Sequence, residues 1–170
     1  MNNYNFSTLN DKEFEEIAKD LLNKKFAYNL KSFSKGRDKG IDLLRSTNQN
    51  EYEIVVQVKH YIHSSYSSLI TSLNKEKNKI SRINPKRYIL VVSSNLTVAN
   101  KIQIQEIFKE YIKSLNDIYS QQDLNDIIIE FPEIEKKYYK LWLSSTNILQ
   151  NILNNAIESR SKYFLELEPV

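Results

Sequence analysis

The chain has 170 residues, 41% of them hydrophobic, and a formal net charge of +3. That length supports one domain with a core burying roughly two thirds of the unfolded surface, and would cramp two. With no cysteine, disulfides and thiolate zinc sites are excluded, and only two histidines remain for any imidazole-rich metal centre; no stretch reaches the ~18 apolar residues of a membrane span, and the Asn-rich start is no signal peptide, so a cytoplasmic protein is expected.

In chain order, the first predicted element is a helix. Asn10 with Glu13 three residues on approximates a capping box, and Phe14, Ile17, Ala18, Leu21 and Leu22 form an apolar stripe at helical spacing. Glu15 sits at the edge of that stripe, with Glu16 as its rival for any role in a site. A first strand is expected within Ala27 to Ser34. Both glycines of the chain then fall in one octapeptide, Lys35-Gly36-Arg37-Asp38-Lys39-Gly40-Ile41-Asp42, where the backbone must bend tightly beside a carboxylate.

Ile41 to Arg45 and Glu53 to Tyr61 read as strands, and the polar Thr47-Asn48-Gln49-Asn50 between them as a hairpin turn. A turn centred on Gln49-Asn50 pairs residues whose numbers sum to 99, which sets Asp42 opposite Gln57. Opposed residues share a face, as do residues two apart on one strand, so Asp42, Gln57 and Lys59 converge while Ile54, Val56 and Val58 face a core. A slip of one residue would send Asp42 to the wrong side. The Asp42 carboxylate, the Gln57 amide oxygen and the Val58 carbonyl are the hard oxygen donors that Mg²⁺ or Mn²⁺ prefers, with water and a phosphate completing the shell. The Lys59 ammonium suits lowering the pKa of an attacking water or countering charge on phosphate oxygens. The bland alternative is an exposed hairpin with a surface ion pair.

A helix is predicted from about Ser65 to Ile83 and a buried strand over Tyr88 to Ser93. A segment opened by Thr97 follows, with Ile102, Ile107, Phe108, Tyr111 and Ile112 inward; then come helices over Leu124 to Ile129 and Pro132 to Leu143. A final apolar stripe runs from Ile148 to Ile157. Its covering is read as core, a homo-oligomer seam or a following domain. The order predicts an α/β/α core around a mixed sheet, residues 1–115, with a helical extension over 116–170 packed on it.

Residues 1–101 hold 17 Lys and Arg against 10 Asp and Glu, and residues 102–170 hold 7 against 11. In the basic half, Lys35, Arg37 and Lys39 flank the bend, and Lys75, Lys77, Lys79 and Arg82 crowd one helix; such surfaces bind phosphate backbones through counterion release. Of lesser features, His60 alternates away from Lys59 and reads as a packed histidine. Tyr66 is a weak candidate for base stacking, and Asp38 ranks below Asp42 because it can serve the turn alone.

Gly36-Arg37-Asp38-Lys39-Gly40-Ile41-Asp42 followed by Gln57-Val58-Lys59 resembles the Mrr-type branch of the PD-(D/E)XK nucleases, in which Gln replaces the second acid. Glu13-Phe14-Glu15-Glu16-Ile17-Ala18 resembles the opening helix of that family, which implies a site role for Glu15. The residues around Leu124-Asn125-Asp126 and Phe131-Pro132-Glu133 through Leu141-Trp142-Leu143 are similar to Mrr-like domains that precede STAND-type NTPases in bacterial defence proteins. The resemblance implies a DNA endonuclease acting as an antiphage effector, with any NTPase outside this chain, which holds no P-loop. Alternatives are a Holliday-junction or repair nuclease and a non-catalytic DNA-binding or assembly module.

Overall fold

The computed structural model describes residues 3–32, 41–48, 51–61, 64–143 and 153–160. The first helix, α1 (Asp11–Phe26), starts where Asn10 and Glu13 exchange hydrogen bonds of 2.9 Å in a capping box. Its stripe of Phe14, Ile17, Ala18, Leu21 and Leu22 is fully buried. Each of the larger side chains contributes about 1.5–3 kcal/mol of transfer free energy. Glu15, beside the stripe, is buried as well, whereas Glu16 is exposed.

The strand expected over Ala27 to Ser34 is cut to β1 (Lys31–Ser32) among the described residues. The cause is local. Ala27 and Asn29 both take positive φ, 51° and 54°, which no extended strand accommodates. The side chain of Asn23 then captures both backbone groups of Leu30, at 2.7 and 3.1 Å, and turns the chain into the sheet only after that point.

Next come β2 (Leu43–Asn48), β3 (Glu51–Lys59), helix α2 (Tyr66–Ile83) and β4 (Arg87–Val92). Helix α3 (Val98–Ile107), β5 (Ile118–Tyr119) and helices α4 (Gln121–Glu130), α5 (Pro132–Lys137) and α6 (Tyr139–Leu143) complete the described order. The strands form one mixed sheet in the order β1-β2-β3-β4-β5, with antiparallel pairing among the first three and parallel pairing from β3 to β5. Leu43 pairs with Val56, Leu44 with Val55 and Arg45 with Ile54, so every one of these sums is 99. Continued by one residue, that register places Asp42 opposite Gln57.

Helices cover both faces, giving the α/β/α layering expected of a restriction-endonuclease-like fold. On one face α1, α4 and α5 pack over Leu43, Ile54, Val56, Ile89 and Val91. On the other, α2 and α3 cover Val55, Tyr88, Leu90 and Val92. β5 and α4 lie beyond residue 115, so the stretch expected to be a helical extension supplies an edge strand and part of the first core. Ile102, expected inward, is 48% exposed; α3 turns Ile104 to the core instead and ends at Ile107, leaving Phe108, Tyr111 and Ile112 to pack from the segment that follows. Residues 153–160 are helical and exposed, including Leu153 and Ile157 of the final stripe. Ile148, Leu149 and Ile152 lie outside the described residues.

Candidate active site

Four neighbouring segments make the site: the bend entering β2, the C-terminal end of β3, and two helices, α1 and α2, laid over opposite faces of the sheet. Asp42 stands at the bend just before Leu43, half-buried, and its Oδ2 accepts a hydrogen bond of 2.8 Å from the Val58 N–H. This side-chain bond replaces the ladder bond that β2, starting one residue later, does not supply. The next carbonyl of β3, that of Lys59, accepts from Ser93 N on the β4 side. Backbone groups alternate along a strand, so Val58 directs its carbonyl to the Asp42 side.

Gln57 is buried, with 4% of its surface exposed, on the face covered by α2. Two residues from its β4 partner Leu90, and hence on the same face, fully buried Tyr88 donates its hydroxyl proton to Gln57 Oε1. The side chain of Gln57 also neighbours the carboxylate of Glu76, a residue of α2, and helps to lower its pKa. Lys59, whose side chain is only 15% exposed, places Nζ 3.1 Å from Glu76 Oε1, and Lys79 reaches the other carboxylate oxygen at 3.2 Å. Glu15 approaches from α1 and is itself paired with Lys12 at 3.0 Å.

The electrostatics follow from this crowding. Burial pushes the Asp42 carboxyl above the ordinary range; the Val58 N–H and Lys59 pull it back, while the charges of Glu15 and Glu76 push it further up. Burial likewise opposes ionisation of Glu76, but Lys59, Gln57 and Lys79 together hold its carboxyl below the ordinary range. Burial first, and then Glu76 and Asp42, drive the Tyr88 hydroxyl well above its usual range, so it is a fixed donor. Asp42 is therefore a carboxylate in an unfavourable place, and a divalent cation is the natural counter-charge.

The donor set fits such an ion. Asp42, the Val58 carbonyl and the lone pair that Gln57 Oε1 retains are hard oxygens of low total charge, as a magnesium shell that keeps several waters requires. Among the described residues no three His, Asp or Glu side chains converge to form a cage by themselves. Backbone and amide oxygens are accordingly needed.

The remaining candidates divide clearly. Lys75, Lys77 and Arg82 are exposed on α2, outside the sheet-facing stripe, and Lys79 is engaged with Glu76. Lys35, Arg37, Asp38 and Lys39 lie outside the described residues. His60 faces α1, stacked on Phe14 with ring centroids 4.7 Å apart and Nε2 2.8 Å from the Leu9 carbonyl. Tyr66 ties α2 to α3, its hydroxyl within 3.1 Å of the Asn100 carbonyl and 3.0 Å of Gln103 Oε1. Sequence reasoning passed over Tyr88 and Glu76. The signal for Glu76 was present: Leu69, Leu73, Glu76, Ile80 and Ile83 follow one 4-3-4-3 stripe, and a carboxylate on a buried stripe demands partners.

Three comparisons bear on this arrangement. Residues 6–110 match the family model Mrr_cat, described as restriction endonuclease. The chain is 34% identical over 154 residues to Uncharacterized protein y4cD of Sinorhizobium fredii (strain NBRC 101917 / NGR234); the match covers 91% of this chain and 24% of that relative, so the chain spans about a quarter of the relative's length. No solved structure matches.

Proposed function

Because the chain belongs to the Mrr-type catalytic domains of the restriction endonuclease family, we propose that it is the DNA-cutting unit of a bacterial defence protein. It hydrolyses phosphodiesters with Mg²⁺ or Mn²⁺, in the cytoplasm, with little sequence preference. The observation that carries this reading is the convergence of Asp42, anchored on Val58 N–H, with Gln57 and Lys59 at one end of the β2-β3 pair.

Asp42, the Val58 carbonyl and Gln57 would hold the ion. A divalent ion held there would supply acidification of water and polarisation of the scissile phosphate. Lys59 is ion-paired and serves as a charge rather than a base; its ammonium opposes the negative charge that grows on the phosphorus oxygens. Glu15 raises the negative potential at Asp42 and so favours cation capture. The exposed Lys75, Lys77 and Arg82 of α2 bind the DNA backbone without reading bases, and Lys35, Arg37 and Lys39, just ahead of Asp42 in the sequence, add positive charge to the nuclease half. In this reading residues 1–115 carry the chemistry, 116–170 brace it, and a STAND-type NTPase elsewhere in a longer protein, or oligomerisation, switches it on.

The test is a cleavage panel of linear duplex, plasmid, single-stranded and four-way DNA with Mg²⁺, comparing wild type with Lys59→Ala and Asp42→Ala. Wild type should nick and cut duplex DNA and both variants should lose cleavage. Either variant cutting at the wild-type rate would refute the site. Cleavage confined to four-way junctions would make the protein a resolvase, and salt-sensitive binding without any product would make it a binding module.

A further inference from the structure

We propose that Glu76, on α2, is a positioning residue that sets both functional side chains of the Gln57-Val58-Lys59 run from outside that run. The inference rests on the nuclease reading for its consequence and on geometry for its content. One carboxylate receives two ammonium donors, Lys59 Nζ at 3.1 Å and Lys79 Nζ at 3.2 Å, and the Gln57 side chain lies close enough to help lower its pKa. Its side chain is 20% exposed, so water competes weakly for those bonds.

The polarity of the chain of bonds is forced. A lysine can only donate, so Glu76 accepts; the Gln57 end that faces Glu76 must then be its NH₂. Its oxygen is left to the opposite side, where buried Tyr88 donates to it. Glu76 and Tyr88 thus clamp the amide at both ends and decide which end faces an ion. Without Glu76 the NH₂ end loses its neighbouring acceptor and the Tyr88 hydrogen bond alone holds the amide, which is then less firmly oriented. Lys59 would also lose the anchor that keeps a long, flexible stem in one rotamer. Lys79 has a second task here. It shares the Glu76 charge, so that Lys59 remains available to a phosphate.

Glu76→Ala and Glu76→Gln answer the question in the 170-residue chain. Duplex DNA cleavage with Mg²⁺ gives kcat and KM, thermal unfolding gives stability, and ¹H–¹⁵N spectra follow the Lys59 ammonium and the Gln57 side-chain amide. We expect kcat of Glu76→Ala to fall about 10- to 100-fold, as for loss of groups that orient metal ligands. KM for DNA should stay level or fall, since a negative charge has left the surface. Glu76→Gln should recover part of kcat, because its Oε1 still accepts from Lys59. The Lys59 ammonium signal should vanish and the Gln57 amide signals should move in Glu76→Ala. Wild-type kcat in Glu76→Ala, a rise in kcat, or equal losses in both variants tracking thermal stability would overturn the proposal. A wild type that cuts nothing would count against the nuclease reading, and the spectra would still decide this one: unmoved Gln57 and Lys59 signals would overturn it.

Discussion

Replacing Lys59 by Met and Glu76 by Gln, singly and together, measures how strongly the site is tied to the fold. At an effective dielectric of about 20, unit charges about 4 Å apart attract by about 4 kcal/mol; taking both out of water returns most of that. Lys59 and Glu76 lie 3.1 Å apart with side chains 15% and 20% exposed, between the exposed pairs worth below about 1 kcal/mol and the buried ones whose breakage costs about 3–5 kcal/mol. Glu76 keeps Lys79 and Gln57 as partners when Lys59 is lost, which softens the single deletion. A coupling of about 1–2 kcal/mol is therefore expected, or about 2–8 °C in Tm for a chain of this size. Urea unfolding of the four proteins at neutral pH in EDTA supplies the cycle. If the double variant equals the sum of the singles within about 0.5 kcal/mol, the two groups do not interact as described. The same data show that Lys59 variants stay folded, so that lost cleavage reports chemistry.

Asp42→Asn should stabilise the protein in EDTA, because burial, Glu15 and Glu76 make the folded state favour the protonated carboxyl. A raised folded pKa costs stability above that pKa and costs nothing below the ordinary carboxylate value, so the advantage of Asn is full at neutral pH and closes on acidification. Thermal scans from pH 7 to 4 check it. Saturating Mg²⁺, at about 100 times its Kd, should stabilise wild type by about 2.7 kcal/mol and leave Asp42→Asn unmoved; equal shifts in both would place the ion elsewhere. Replacing Lys75, Lys77 and Arg82 together by Gln should weaken DNA binding uniformly across sequences and flatten the log–log salt slope by up to about 3. Fluorescence anisotropy over a salt series decides whether these exposed cations touch phosphate.

What could be read from the residues followed from strong local rules. The α1 stripe is legible because five apolar residues at helical spacing follow a capping pair, and all five are fully buried. The β2-β3 register is legible because the polar run Thr47 to Asn50 in the sequence predicts a turn and a pairing sum of 99, which the pairs from Leu43 to Arg45 obey. Other elements are decided by partners distant in sequence. β5 is two residues long, too short to show alternation, and exists because Ile118 pairs with Leu90 and Tyr119 with Val91. The helix expected over Pro132 to Leu143 breaks at Tyr138, whose hydroxyl bonds Asp20 of α1. Glu76 was visible as an acid among lysines, but its role depends on α2 crossing the face that bears Gln57 and Lys59.

That crossing also gives a physical reason for a neutral residue at position 57. Burial, with the charges of Glu15 and Glu76 added to it, already raises the Asp42 carboxyl despite Lys59 and the Val58 N–H. A glutamate at 57 would sit buried against Glu76, exchanging a donor for a like charge. Tyr88 would still donate to it, so its oxygen would stay where Gln57 Oε1 now lies. Gln57→Glu should accordingly lose about 1–3 kcal/mol at neutral pH in EDTA, the range for an unsatisfied buried polar group. The loss should shrink on acidification as one of the pair takes up a proton, and added Mg²⁺ should raise its Tm more than that of wild type. Urea transitions in EDTA that coincide for Gln57→Glu and wild type would mean that residue 57 does not feel Glu76, and with it would go the electrostatic reason for an amide at this position.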